Sequence, residues 1–343
     1  MIDTSYILEV MQKLCSTASP TGFTEGAFKL LESEFQKLGM PFYYTNKGSM
    51  YSYIAGKNTH VKKALAAHTD TLGAMVKEIK ANGRLVFSNV GGYAGNSVEC
   101  ENCLIHTVSG KTYSGTIYTT KPSVHVHGDV STFERTLENM EIVLDEKVFS
   151  VQDVKDLGIE IGDFISFDSR FKVTASGFVK SRHLDDKAGV SIILGVCKYI
   201  KDNNIVPENT VQIFITNYEE VGHGACSGID SEALELLCVD MGAMGIGQNT
   251  DEYSVSICAK DSSGPYDYKM RTLLVELAKK NGIDYKIDLY PRYTSDASTA
   301  LKAGMCLRTG LIGPGVFASH SYERTHVDSL KATAELLLAY VRE

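Results

Sequence analysis

Apolar side chains recur at helical spacing near the start of the chain. Tyr6, Ile7, Val10, Met11 and Leu14 follow an i, i+3, i+4 pattern, and after the Ser19-Pro20-Thr21-Gly22 break Phe28, Leu31, Phe35 and Leu38 repeat it. Both stretches are expected as amphipathic helices. Residues 51–54 and 63–67 are short apolar or aromatic runs bounded by Gly and polar residues, which predicts strands. From about Ala74 to Ser176 the texture changes to short alternating segments (84–87, 112–118 and 163–167) separated by Gly-rich turns, the pattern of a small β-rich domain. Beyond it, helical and strand patterns alternate: helix over 187–202, strand over 210–216, helix over 231–236, strand over 237–240, helix over 268–281. Such alternation predicts an α/β fold with a mostly parallel central sheet flanked by helices. The expected organisation is one α/β domain, 1–73 and 177–343, interrupted by an inserted β-rich domain over 74–176.

Composition sharpens this picture in three ways. At 343 residues, 43% hydrophobic and 22% charged, the chain is ordinary globular sequence and longer than one core usually serves, which agrees with two lobes. A net charge of −8 without Lys/Arg clusters leaves no basic footprint for nucleic acid or an anionic membrane, so small molecules or peptides are the expected ligands. The opening Met1-Ile2-Asp3-Thr4-Ser5-Tyr6 has neither the basic nor the apolar region of a signal peptide, and no run approaches the roughly 18 apolar residues of a membrane span. A cytoplasmic location is expected. Eight irregularly spaced cysteines fit reduced, mostly buried thiols. Cys100 and Cys103 have ligand-like spacing, but no second pair completes a zinc knuckle, so they are read as a hairpin detail.

Five segments carry acids or histidines just after strands or just before a helix, where an open α/β sheet presents its ligand-binding edge. Ala66-Ala67-His68-Thr69-Asp70 places two polar residues at i, i+2, on one face of extended chain, with Asp70 suited to orient the imidazole. His183-Leu184-Asp185-Asp186-Lys187 sets adjacent acids before a helix, and either could merely cap it. Asn217-Tyr218-Glu219-Glu220 pairs glutamates after a buried strand, an expensive arrangement unless a cation compensates. Val239-Asp240 ends an apolar strand in a lone acid, and Ser319-His320-Ser321 lies near the C-terminus, with His326 close behind. Together these segments supply a ligand set suited to two borderline divalent cations bridged by a carboxylate, with a glutamate to spare.

In this order, with the β-rich block between the first and second, the five segments resemble the M42 family of metallo-aminopeptidases, the glutamyl and tetrahedral aminopeptidase group. The resemblance spans nearly the whole chain, including Ser19-Pro20-Thr21-Gly22 and Glu25. It implies a zinc-peptidase-like α/β fold and two divalent metal ions per subunit, zinc or cobalt, with manganese also accepting such ligands. It implies that His68 and Asp240 bind one metal, Glu220 and His320 the other, and that Asp185 bridges both. Glu219 would be the general base and Asp70 would orient His68. Peptides with a free N-terminus would be the substrates, and the inserted domain would help hold a homo-oligomer, from dimer to dodecamer. Many relatives carry Arg-Tyr-x-His-Ser-Pro where this chain has Ala-Ser-His-Ser-Tyr-Glu; the retained His-Ser pair favours His320 over His326.

Two other readings stand beside aminopeptidase: a metal-dependent N-acyl-amino-acid amidohydrolase, and a non-catalytic metal-binding assembly protein. The spare Glu219 argues against the last. His125 and His127 are read as a solvated hairpin, His223 as lying near the cleft without a role, and 290–297 as either a substrate-reading loop or a turn.

Overall fold

The computed structural model describes residues 2–343. Its central sheet is mixed. Four neighbouring strands, in the order Asn209–Thr216, Asn58–His68, Glu235–Val239 and Arg308–Val316, run parallel. Antiparallel strands extend both sides: Met50–Ile54 and Phe42–Tyr44 on one, Val255–Asp261 on the other.

The strands have two apolar faces, and each is covered. Leu65 and Ala67 pack into a core with helices α1 (Thr4–Cys15), α2 (Glu25–Leu38), α4 (Leu184–Asp202), α5 (Tyr268–Asn281) and α7 (Val327–Arg342). Their neighbours Ala64 and Ala66 face the opposite layer, where Phe214, Leu236 and Leu311 meet Ala297 and Ala300 of α6 (Asp296–Lys302). Alternate residues of a strand buried on both sides explain the continuous apolar run Ala64-Leu65-Ala66-Ala67. Leu65 is fully buried in the larger core, so Leu65→Ala should cost about 2–5 kcal/mol of stability in denaturant unfolding.

Between Asn58–His68 and α4 the chain builds a closed antiparallel barrel. Its strands close in the order Gly73–Ile79, Leu85–Val90, Met140–Leu144, Thr112–Thr119, Asn102–His106 and Phe164–Phe167. It has its own core, including Val76, Leu85, Ile105, Ile117, Ile142 and Ile165, against which α3 (Val151–Leu157) sets Val154. A three-stranded sheet of Lys172–Val173, Phe178–Ser181 and Glu323–His326 then ties the exit from the barrel to the C-terminal segment. No helix among the described residues is long and apolar enough to cross a membrane.

One expected element is absent: residues 231–236 form a turn running into the strand Glu235–Val239, not a helix. The segment is too short to sustain helical hydrogen bonding by itself, and parallel pairing of Glu235–Cys238 with Lys63–Ala66 satisfies its backbone instead. Cys100 is exposed at positive φ and Cys103 is buried, its thiol donating to the Gly115 carbonyl; all eight cysteines are free. His125 lies in a turn and His127 in irregular chain, neither in a strand.

Candidate metal centre

Four of the acidic or histidine segments leave the same edge of the sheet because the four central strands are parallel. His68 ends one strand, Glu219 and Glu220 follow the second, Asp240 follows the third, and His320 follows the fourth. Loops at the carboxyl ends of parallel strands converge by construction. The fifth segment arrives from the barrel side, where Asp185 opens α4.

The two adjacent aspartates, joined by a cis peptide bond, divide the alternatives the sequence left open. Asp186 is the structural one: Oδ1 accepts the Gly189 N–H at 2.9 Å, capping α4, and Oδ2 accepts the His68 N–H at 3.2 Å. Asp185 turns into the cleft, Oδ1 3.1 Å from His68 Nε2 and Oδ2 3.3 Å from His320 Nε2. Ligand atoms of His68, Asp185 and Asp240 all lie within 4.8 Å of one another. Glu220 Oε2 is 3.5 Å from His320 Nε2, and Glu219 Oε2 is 3.7 Å from His68 Nε2.

Asp70 acts through different atoms than its spacing suggested. His68 Nδ1 donates to the Asp70 main-chain carbonyl at 2.9 Å, while the carboxylate Oδ1 stays 3.7 Å away. That carboxylate instead accepts the N–H groups of Glu219 (3.2 Å) and Glu220 (3.3 Å) and the Thr21 hydroxyl (2.6 Å), fixing the loop that carries both glutamates. Buried Lys187 braces the His68–Asp70 turn, donating to Ser19 Oγ at 2.6 Å and to the Thr69 carbonyl. His326 stands apart: its Nδ1 accepts the Asp328 N–H at 3.1 Å and caps α7. His223, exposed, stacks on Tyr218. In the segment 290–297, Asp296 is buried, accepting the Thr216 hydroxyl and the Ala225 N–H.

Carbonyl acceptors decide the histidine tautomers. A carbonyl accepts only, so Nδ1 of His68 carries a proton, as does Nδ1 of His320 against the Gly92 carbonyl. Each Nε2 then faces carboxylates, and only a second proton or a metal ion makes that contact attractive. With protons alone, burial opposes the imidazolium of His68, yet Glu219, Asp185 and Asp70 outweigh it and hold its pKa well above the ordinary value. Burial likewise opposes charge on His320, which Asp185 and Glu220 raise to about 10. The carboxylates show the complementary strain. Burial, aided by Asp185, pushes Glu220 up to about 8 and Asp240 up to about 7. Burial and the nearby acids Asp240, Asp296 and Glu220 raise Glu219 well above the carboxylate range. Asp185 alone falls well below it, because the hydrogen bonds from the two histidines overcome its burial.

Divalent cations fit this arrangement. Glu220 Oε1 is a buried carboxylate oxygen without a hydrogen-bond partner among the described residues, a costly state that a cation relieves. Imidazole nitrogens and carboxylate oxygens converging in one cleft are the donor set of a borderline divalent metal. A cavity of about 340 Å³ opens beside His320, lined in part by Met241, Ala243, Tyr290, Arg292 and Tyr293. A separate cavity of about 440 Å³, on the seam between the end of α1 and the barrel, includes none of the five residues.

Several contributors were not singled out from the sequence. Lys187 and Glu323 stood in motifs of the sequence but carried no spacing signal, and Tyr293, whose hydroxyl is buried near Asp240, lay in the segment left undecided. Their roles depend on which strands become neighbours.

Comparison with known proteins agrees with this architecture. The chain is 51% identical over 335 residues to "Putative aminopeptidase YhfE" of Bacillus subtilis (strain 168), covering 98% of this chain and 97% of that one. Its fold matches a TET aminopeptidase from the marine sediment archaeon Thaumarchaeota archaeon SCGC AB-539-E09, with TM-score 0.89 and 19% identity over 98% and 97% of the two chains. It also matches the Pyrococcus horikoshii TET1 peptidase, with TM-score 0.86 and 23% identity over 98% and 99%; that peptidase can assemble into a tetrahedron or a large octahedral shell. Residues 48–336 match the peptidase M42 family, described as M42 glutamyl aminopeptidase, and the chain belongs to that family.

Proposed function

We propose that this protein is an aminopeptidase that uses two divalent metal ions, zinc or cobalt with manganese as a further possibility, to hydrolyse the first peptide bond of peptides with a free N-terminus. The observation that carries the reading is the convergence of His68, Asp185 and Asp240 within 4.8 Å, with Glu220 and His320 completing a second set around Asp185. His68 and Asp240 would hold one ion, Glu220 and His320 the other, and Asp185 would be shared. Bound there, the ions supply a water of lowered pKa and polarise the scissile carbonyl.

The chain's own residues do the rest. Glu219 takes the proton of the attacking water and delivers it to the departing amine, a general acid–base contribution of roughly a hundred- to ten-thousandfold. Asp70 holds the Glu219 main chain so that its side chain faces the cleft. The acid-rich cleft attracts a protonated α-amine, and the cavity beside His320 offers room for a side chain of the substrate.

The chain divides, in this reading, into a catalytic α/β domain of the zinc-peptidase type, 1–73 and 177–343, and an inserted β-rich domain, 74–176, that helps to hold a homo-oligomer and to control access. Exposed apolar side chains on that block, including Val108, Val124, Val126 and Phe149, support an assembly role. Eight free thiols support a reducing, cytoplasmic setting.

The test compares one peptide with free and acetylated termini. Release of the first amino acid from the free form only is expected. Equal hydrolysis of the blocked peptide would replace aminopeptidase by amidohydrolase or endopeptidase.

A further inference from the structure

Glu323 has no part in the chemistry above, yet one side chain joins two of its segments. It is 1% exposed and sits at the start of the strand Glu323–His326, opposite Ser181 in the antiparallel pairing with Phe178–Ser181. From there Oε2 accepts the main-chain N–H of Asp185 at 3.1 Å and Oε1 accepts that of His320 at 2.9 Å. Neither amide has a place in regular structure. His320 and Ala318 both adopt left-handed backbone, at φ 63° and 56°, an unfavourable region for residues with a Cβ. Asp185 has φ −77° and ψ 105°, outside helical geometry although it lies at the head of α4. Each segment therefore needs an external anchor, and the same carboxylate provides it for both.

The side chains of these two residues meet in the cleft, His320 Nε2 standing 3.3 Å from Asp185 Oδ2. We infer that Glu323 is a positioning residue that sets the spacing between His320 and Asp185, and with it the affinity of the metal ion they share. This rests on the metal reading given above. The requirement is for two acceptors at a fixed reach. Glutamine keeps the shape but turns one acceptor into a donor facing an N–H. Aspartate keeps the charge but, one methylene shorter, does not span both amides.

The experiment titrates metal-free wild type, Glu323→Gln and Glu323→Asp with cobalt(II), following visible absorption, with kcat and KM measured on the same preparations. Both variants should bind one of the two ions about 10- to 100-fold more weakly. Their cobalt spectra should change, and kcat should fall more than KM changes. Their metal-free melting temperatures should fall by only a few degrees, the cost of about one unmet buried amide. Unchanged cobalt binding and spectrum in Glu323→Gln would overturn the inference. So would wild-type behaviour in Glu323→Asp, which would assign the effect to charge, or a collapse of metal-free stability, which would make Glu323 a residue of the fold. A wild-type protein that takes up no cobalt would instead refute the metal reading itself, a result visible before any variant is made.

Discussion

Glu219→Gln is expected to lower kcat on an unblocked peptide by a hundred- to ten-thousandfold while bound metal stays at the wild-type level. The substitution is nearly isosteric, and the main-chain contact that orients the residue, Glu219 N–H to Asp70 Oδ1 at 3.2 Å, does not depend on the side chain. What disappears is a group able to accept a proton beside the His68 side of the cleft, where Glu219 Oε2 lies 3.7 Å from Nε2. Steady-state kinetics on an aminoacyl amide, paired with elemental analysis of the purified variant, separates the two effects. Near-normal kcat would move the base to another residue. Loss of metal together with activity would make Glu219 a ligand.

Removing the metal should have the other large effect: hydrolysis ceases, and the stability of the stripped protein becomes strongly pH-dependent. Glu220 and Asp240, pushed up to about 8 and about 7, keep protons in the folded state that the unfolded chain releases near its ordinary carboxylate values. His320, at about 10, also holds its proton longer folded than unfolded, and His68 is raised in the same direction. In every case the folded form binds more protons, so stability falls as pH rises from about 5 toward 10. Asp185 has the opposite sign, but its contribution is lost only in more acidic solution, as pH falls through its lowered pKa; buried His183 and Lys187, lowered to about 3 and about 8, also oppose the trend and are outnumbered. Thermal melts of chelator-treated protein should therefore show a falling melting temperature from pH 5 to pH 9. Added zinc or cobalt should raise it most at the alkaline end, where the ligands are already free of protons. A melting temperature that rises with pH in the stripped protein would mean that these carboxylates are not crowded as the structure shows.

Part of this site was legible before any fold was known, and the reason is local. An apolar strand that stops at a histidine or an acid announces a loop at a sheet edge, which is why His68, Glu219, Glu220 and Asp240 stood out. Spacing alone did not choose between the adjacent aspartates, and only the family resemblance pointed to Asp185, because the choice turns on φ and ψ at the head of α4: Asp186 faces the Gly189 amide and Asp185 faces the histidines. The atom through which Asp70 works was hidden for the same reason. Spacing said that the residue was near His68, but only the turn after the strand brought its carbonyl, rather than its carboxylate, to Nδ1. His326 lay as close in sequence as a ligand could, and became a helix cap because the strand Glu323–His326 runs straight into α7.

The alternation of apolar and polar positions was enough to separate a β-rich block from an α/β surround and to mark the helices Thr4–Cys15, Glu25–Leu38 and Tyr268–Asn281, because periodicity is a property of neighbouring residues. Strand order, the closure of six strands into a barrel, and the double anchorage of Asp185 and His320 by Glu323 all arise between residues far apart in the chain. No local pattern encodes such pairings, since they depend on which surfaces bury each other once the whole molecule has collapsed.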